Sequence, residues 1–68
     1  MERKKVSSSN LKSIGYLLGI LEIEFKNNTV YQFKSVPKNI HNRLMKSSSK
    51  GTFFSKNIKE KFTYSQVL

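Results

Sequence analysis

The sequence predicts an α+β fold: a three-stranded antiparallel β-meander packed against one or two short helices, with a C-terminal strand, in the order β-β-β-α-α-β. Three observations carry this expectation. Leu21-Glu22-Ile23-Glu24-Phe25 alternates apolar and acidic residues at the period of a half-buried strand. Pro37 opens a stretch whose apolar residues recur at helical spacing. Phe62-Thr63-Tyr64-Ser65-Gln66-Val67 then returns to aromatic and β-branched residues in alternation. A chain of 68 residues makes one domain that buries about 60 % of its unfolded surface, so these elements share one small core. Residues 1–5 read as a flexible basic N-terminus and residues 6–68 as the single domain.

Asn10 to Tyr16, with Ile14 and Tyr16 on one face, supplies the first strand, and Leu17-Leu18-Gly19 the turn into the second. Thr29-Val30-Tyr31-Gln32-Phe33-Lys34 follows Asn27-Asn28 and completes a hairpin with the acidic strand. A two-residue Asn-Asn loop would leave Tyr31 and Phe33 on the face that carries the glutamates. A three-residue loop, Lys26-Asn27-Asn28 with Asn28 in the left-handed conformation, instead pairs Phe25 with Thr29, Ile23 with Tyr31 and Leu21 with Phe33. That register puts every aromatic on the apolar face, and Asn tolerates a positive φ, so the bulged hairpin is the expectation.

Val36-Pro37 sets the next boundary, because proline holds its predecessor extended and fits the first helical turn. From there to about Lys46, Ile40, His41, Leu44 and Met45 fall on one side, and Lys38, Asn39, Asn42, Arg43 and Lys46 on the other. Ser47-Ser48-Ser49-Lys50-Gly51 reads as a break in which Gly51 permits a backbone reversal. Ser55 is the expected N-cap of a second short helix, with Phe54, Ile58 and Phe62 turned inward and Lys56 and Lys59 outward.

Thirteen Lys and Arg against four Asp and Glu leave a net charge of +9. The charge falls unevenly: residues 37–68 hold Lys38, Arg43, Lys46, Lys50, Lys56, Lys59 and Lys61 against Glu60 alone. Clustered cations of this kind neutralise phosphates and release counterions, which points to a polyanion partner, although the same residues also suit a solvated surface. The absence of Cys excludes disulfides and thiolate zinc sites, and one His with four carboxylates does not make a transition-metal site, so no metal or cofactor is expected. The apolar run from Tyr16 to Leu21 is far shorter than the roughly 20 residues that cross a bilayer, and the basic opening is followed by three Ser rather than an apolar segment. A cytoplasmic protein without membrane contact, monomeric rather than dimeric, is the expectation.

Val6-Ser7-Ser8, Ile14-Gly15-Tyr16, Leu21-x-Ile23-x-Phe25, Tyr31-x-Phe33, Val36-Pro37 with Ile40-His41 and Leu44, Ser49-Lys50-Gly51 with Phe53-Phe54, and Ile58-Lys59 occur in an order and spacing that together resemble the KTSC domain family. That family takes its name from the C-terminus of some lysyl-tRNA synthetases and includes small bacterial and phage proteins. The chain departs from the family pattern in three places. Its central Y-x-Y is Tyr31-Gln32-Phe33, Asn28 stands where Gly is usual, and Ser47 where Ala is common. Loss of the second phenol removes any role that needs a hydroxyl at position 33 but leaves packing and stacking intact. The association with a synthetase implies RNA binding.

These readings converge on a small non-catalytic module that binds nucleic acid, RNA in preference to DNA, through its basic C-terminal half. The candidate contacts are Lys38, Arg43, Lys46, Lys50, Gly51, Lys56 and Lys59 for the backbone, and Tyr31 for stacking on a base. Tyr31 competes with its own packing, since the favoured register turns it toward the core. The alternative is an accessory module of a phage or mobile element that meets an acidic protein. An enzyme is disfavoured: His41 falls on an apolar helix side, and the chain has no Asp to orient it.

Overall fold

A computed structural model describes residues 1–68. The strands are β1 (Lys4–Lys5), β2 (Leu11–Leu17), β3 (Ile20–Phe25), β4 (Val30–Phe33) and β5 (Tyr64–Gln66); helices α1 (Lys38–Lys46) and α2 (Lys50–Asn57) lie between β4 and β5 in sequence. All five strands form one antiparallel sheet in the order β1-β2-β3-β4-β5. The predicted meander and closing strand are therefore present, and β1 is an addition. The opening residues, expected as a flexible basic tail, instead pair Lys4 with Ile14 and Lys5 with Ser13.

The hairpin between β3 and β4 has the bulged register: Leu21 opposes Phe33, Ile23 opposes Tyr31, and the Phe25 N–H donates to the Thr29 carbonyl at 2.9 Å. Asn28 adopts φ 70°, as the bulge demands. Between β2 and β3 the turn is tight: Leu18 (φ 50°) and Gly19 (φ 81°) are both left-handed, and Leu17 pairs directly with Ile20. A register shift between Leu11 and Ser13 lets both Leu11 and Ile14 enter the core from β2.

The inner face of the sheet contributes Leu11, Ile14, Leu21, Ile23 and Phe33 to a core closed by Val36, Leu44, Phe54 and Ile58. Helix α1 obeys its predicted sides. Leu44 is buried, Ile40 and Met45 pack against the core, and Lys38, Asn39, Asn42, Arg43 and Lys46 are exposed. Pro37 holds the N-cap position in an extended conformation.

Helix α2 begins earlier than expected. Ser49, not Ser55, is the N-cap residue, and Lys50 and Gly51 are helical, so the break is confined to Ser47–Ser49. Gly51 needs no left-handed conformation and reverses nothing. The early start brings Phe53 and Phe54 together against the core, a tertiary gain that outweighs the weak helix propensity of Ser and Gly. Ile58 follows the helix as its C-cap, and Phe62 packs from the loop before β5.

The outer face of the sheet is covered. A Cβ added to Gly15 would lie 2.6 Å from the Glu2 carbonyl and 3.0 Å from the Arg3 Cγ, so the opening residues run directly over this strand. Arg3 pairs with Glu22 and lies 3.8 Å from Glu24, and its Nε donates to the Ser13 hydroxyl at 2.9 Å. Gln32 donates to Glu22 at 2.7 Å, and Ser13 to Glu24 at 2.9 Å. Burial pushes the Glu22 carboxyl up, but the hydrogen bonds from Gln32 and Arg3 and the Arg3 charge outweigh it and hold the group below its ordinary value. No helix is long and apolar enough to cross a membrane.

Candidate functional site

The distribution of ion pairs decides where charge is left over. Every salt bridge lies on the outer face of the sheet, where Glu22 and Glu24 meet Arg3 and Lys12. The helical side has none. Lys38 and Lys46 project from α1, Lys56 from α2 and Lys59 from the turn after it, all exposed. Arg43 is also exposed, with its guanidinium carbon 5.3 Å from the centre of the Phe53 ring, a contact that fixes its direction and leaves its charge uncompensated.

Two depressions flank α2. The first is a polar hollow of about 360 Å³ beside the start of the helix, lined by Ser7 to Asn10 on one side and by Ser48 to Thr52 with Ser55 and Lys56 on the other. Its wall contains no hydrophobic side chain. The sequence-predicted Lys50 and Gly51 both belong to it, but Lys50 is only half-exposed and its ammonium donates to the Ser47 carbonyl at 2.8 Å. Lys50 therefore closes the preceding turn rather than standing free in a loop.

The second depression is a cleft of about 710 Å³ between the inner face of the sheet and the other flank of α2. Phe25, Tyr31, Phe33, Phe54 and Tyr64 line it, and Asn10, Lys26, Asn27, Lys59 and Glu60 are among its polar residues. Most of the rings contact one another edge-on or tilted, and Tyr31 stacks on Phe33 at 6.4 Å. Phe25 meets Phe54 at 5.3 Å between centroids, and Tyr31 meets Phe25 and Tyr64 at 5.7 Å each. Tyr31 is half-buried, and its hydroxyl donates to Gln66 Oε1 at 3.1 Å.

Of the sequence-predicted residues, Tyr31, Gly51 and Lys59 meet around the cleft, and Lys50, Gly51 and Lys56 around the hollow; Lys38, Arg43 and Lys46 stand on α1, outside both. Phe25, Lys26 and Tyr64 join the cleft beyond the residues expected from the sequence. The available signal was the β5 alternation, which puts Tyr64 opposite Phe33.

His41 is placed against the sheet, as its position on the apolar helix side suggests. Its ring stacks on Tyr16 at 4.8 Å and 17°, and its Nδ1 is buried without a hydrogen-bond partner. Burial lowers its pKa, the neighbouring Asn42 side chain opposes this, and the Lys38 charge lowers it further, with a net shift downward.

The profile of the KTSC domain matches residues 7–62. An uncharacterized protein of Stutzerimonas stutzeri (strain A1501) is 35 % identical over 57 residues, which cover 81 % of this chain and 80 % of that one. The crystal structure of a KTSC domain protein from Yersinia pestis superimposes with a TM-score of 0.94 at 40 % identity, over 98 % of this chain and 97 % of that one. Sequence and fold agree over nearly the whole length, and the chain belongs to the KTSC domain family.

Proposed function

We propose that the protein is a small non-catalytic module that binds RNA through its helical side. The observation that carries this reading is the segregation of charge. The carboxylates of β3 are neutralised on the outer face, while Lys38, Arg43, Lys46, Lys56 and Lys59 stand exposed on the helical side with no acidic partner. Unpaired cations spread over two adjacent helices suit a phosphate backbone, where each contact releases condensed counterions. The first-turn N–H groups of α2 at Lys50 and Gly51 add donors beside Lys56. RNA is favoured over duplex DNA because the aromatic residues beside the cations suit unpaired bases.

Fluorescence anisotropy of labelled single-stranded RNA, structured RNA and duplex DNA of equal length, across a salt series and with heparin as a charge control, tests this. An RNA that binds at least about tenfold more tightly than heparin, and keeps that lead at physiological salt, supports the reading. Equal binding of all polyanions, released together as salt rises, sinks it and turns the search to an acidic protein partner.

A further inference from the structure

We propose that the aromatic cleft between the sheet and α2 takes an unpaired nucleobase, packed against Tyr64 and Tyr31; this rests on the RNA-binding reading above and names where the base would go. Tyr64 is 55 % exposed although its ring approaches Tyr31 at 5.7 Å and Phe33 at 5.6 Å. It is the only aromatic side chain of the protein that stands exposed, and it lies at a cleft whose other aromatic residues are half-buried or buried. A further flat ring laid against it would extend an existing aromatic cluster, and base–aromatic stacking needs no particular base because every base has a π-face.

The polar residues of the cleft argue for a nucleotide over a simple apolar ligand. Lys26 and Lys59 are exposed and in no ion pair, and an apolar guest would have no use for them. Asn10 and Glu60 have side chains without hydrogen-bond partners in the protein, so an amide and a carboxylate are available to the edge of a base. Glu60 also disfavours an acidic peptide, the main competing guest for a basic cleft. Ser9, Asn10, Gly51 and Ser55 line both the cleft and the serine hollow, so a chain leaving the cleft passes onto a polar surface that includes Lys56.

The test compares two ligands on the intact protein: a short single-stranded RNA and an abasic strand with the same sugar-phosphate backbone. Amide spectra should show the resonances of Phe25, Lys26, Tyr31, Lys59 and Tyr64 moving with the base-bearing strand and not with the abasic one. Tyr64→Leu keeps an apolar side chain in β5, and its own spectrum reports whether the fold is intact. It should weaken the base-bearing strand at least about fivefold, the equivalent of one stack worth about 1 kcal/mol, and leave heparin and the abasic strand unchanged. Equal affinity and equal shifts for the two strands, or a folded Tyr64→Leu that binds RNA as the parent does, overturns the cleft proposal; the helical-side reading survives that result if Lys56→Glu still weakens RNA. No RNA binding by the parent overturns both. Cleft resonances that respond to an acidic peptide and not to RNA overturn it in favour of a protein guest.

Discussion

The Tyr16 ring lies stacked on the His41 imidazole, and the Tyr16 hydroxyl donates to the Val36 carbonyl at 2.6 Å. One side chain of β2 thus holds both the entrance of α1 and its second turn. Tyr16→Phe keeps the stack and removes the hydrogen bond, so it should cost about 1 kcal/mol in urea unfolding. Tyr16→Ala removes both and should cost about 3 kcal/mol. Equal losses for the two variants would show that the stack contributes nothing.

His41 is the only side chain whose ordinary pKa lies between pH 5 and 8. Its folded value sits below 6.5, so the folded state prefers the neutral ring. At any pH between the folded value and 6.5 the unfolded chain binds more protons, and stability falls as pH falls through that window. Urea midpoints at pH 7.5, 6.5 and 5.5 should therefore decline, and His41→Gln should flatten the decline. A parent protein whose midpoint is constant over this range contradicts the burial argument.

Arg3 satisfies a glutamate on the covered outer face of β3, where Glu22 is only 6 % exposed. Removing the guanidinium leaves that carboxylate with Gln32 as its remaining side-chain partner, so Arg3→Ala should cost about 1–3 kcal/mol. The pH dependence has a definite sign. Because the folded pKa of Glu22 lies below 4.5, its contribution is fully present above that value and is lost as pH falls through the folded pKa. Arg3→Ala should unfold at a higher pH in acid titrations followed by circular dichroism, and Arg3→Lys should recover part of the difference.

Two glycines should respond in opposite ways to alanine. At Gly15 the new methyl would meet the Glu2 carbonyl at 2.6 Å, a backbone atom that has to move, so Gly15→Ala should cost about 1–3 kcal/mol and release β1 from its edge. Amide exchange at Val6, whose N–H donates to the Lys12 carbonyl at 3.2 Å, would report that release directly. At Gly51 the nearest neighbour is the Asn10 Nδ2 at 3.4 Å, the end of a flexible exposed side chain, and the residue is helical. Gly51→Ala should be neutral or stabilise by up to about 1 kcal/mol. A large loss at Gly51 would restore the reading of this residue as a turn.

These outcomes follow from features of unequal legibility in the sequence. The β3–β4 hairpin was readable to its register, because alternation on both strands and the tolerance of Asn28 for positive φ agree on one solution. Strand β1 was not readable, since Lys4-Lys5 has no apolar period and its placement depends on Arg3 reaching a glutamate nineteen positions away. The start of α2 is not legible in the sequence because three serines and a glycine read locally as breakers, whereas the packing of Phe53 and Phe54 decides the matter. The charged helical side was legible from composition. The cleft was not, because Phe25, Tyr31, Phe54 and Tyr64 come from four elements whose convergence no local pattern encodes.

Salt dependence separates the helical cations from the cleft. If Lys38, Arg43 and Lys46 each neutralise a phosphate of single-stranded RNA, replacing all three with Gln should flatten the slope of log K against log salt by about 2. Tyr64→Leu should lower affinity and leave that slope where it was, because stacking releases no counterions. A triple variant with an unchanged slope would mean that the α1 cations touch no backbone, and that any RNA contact is carried by α2 and the cleft. A Tyr64→Leu slope that flattens in parallel would mean that the two surfaces are not independent, since loss of the ring would then withdraw phosphate contacts as well.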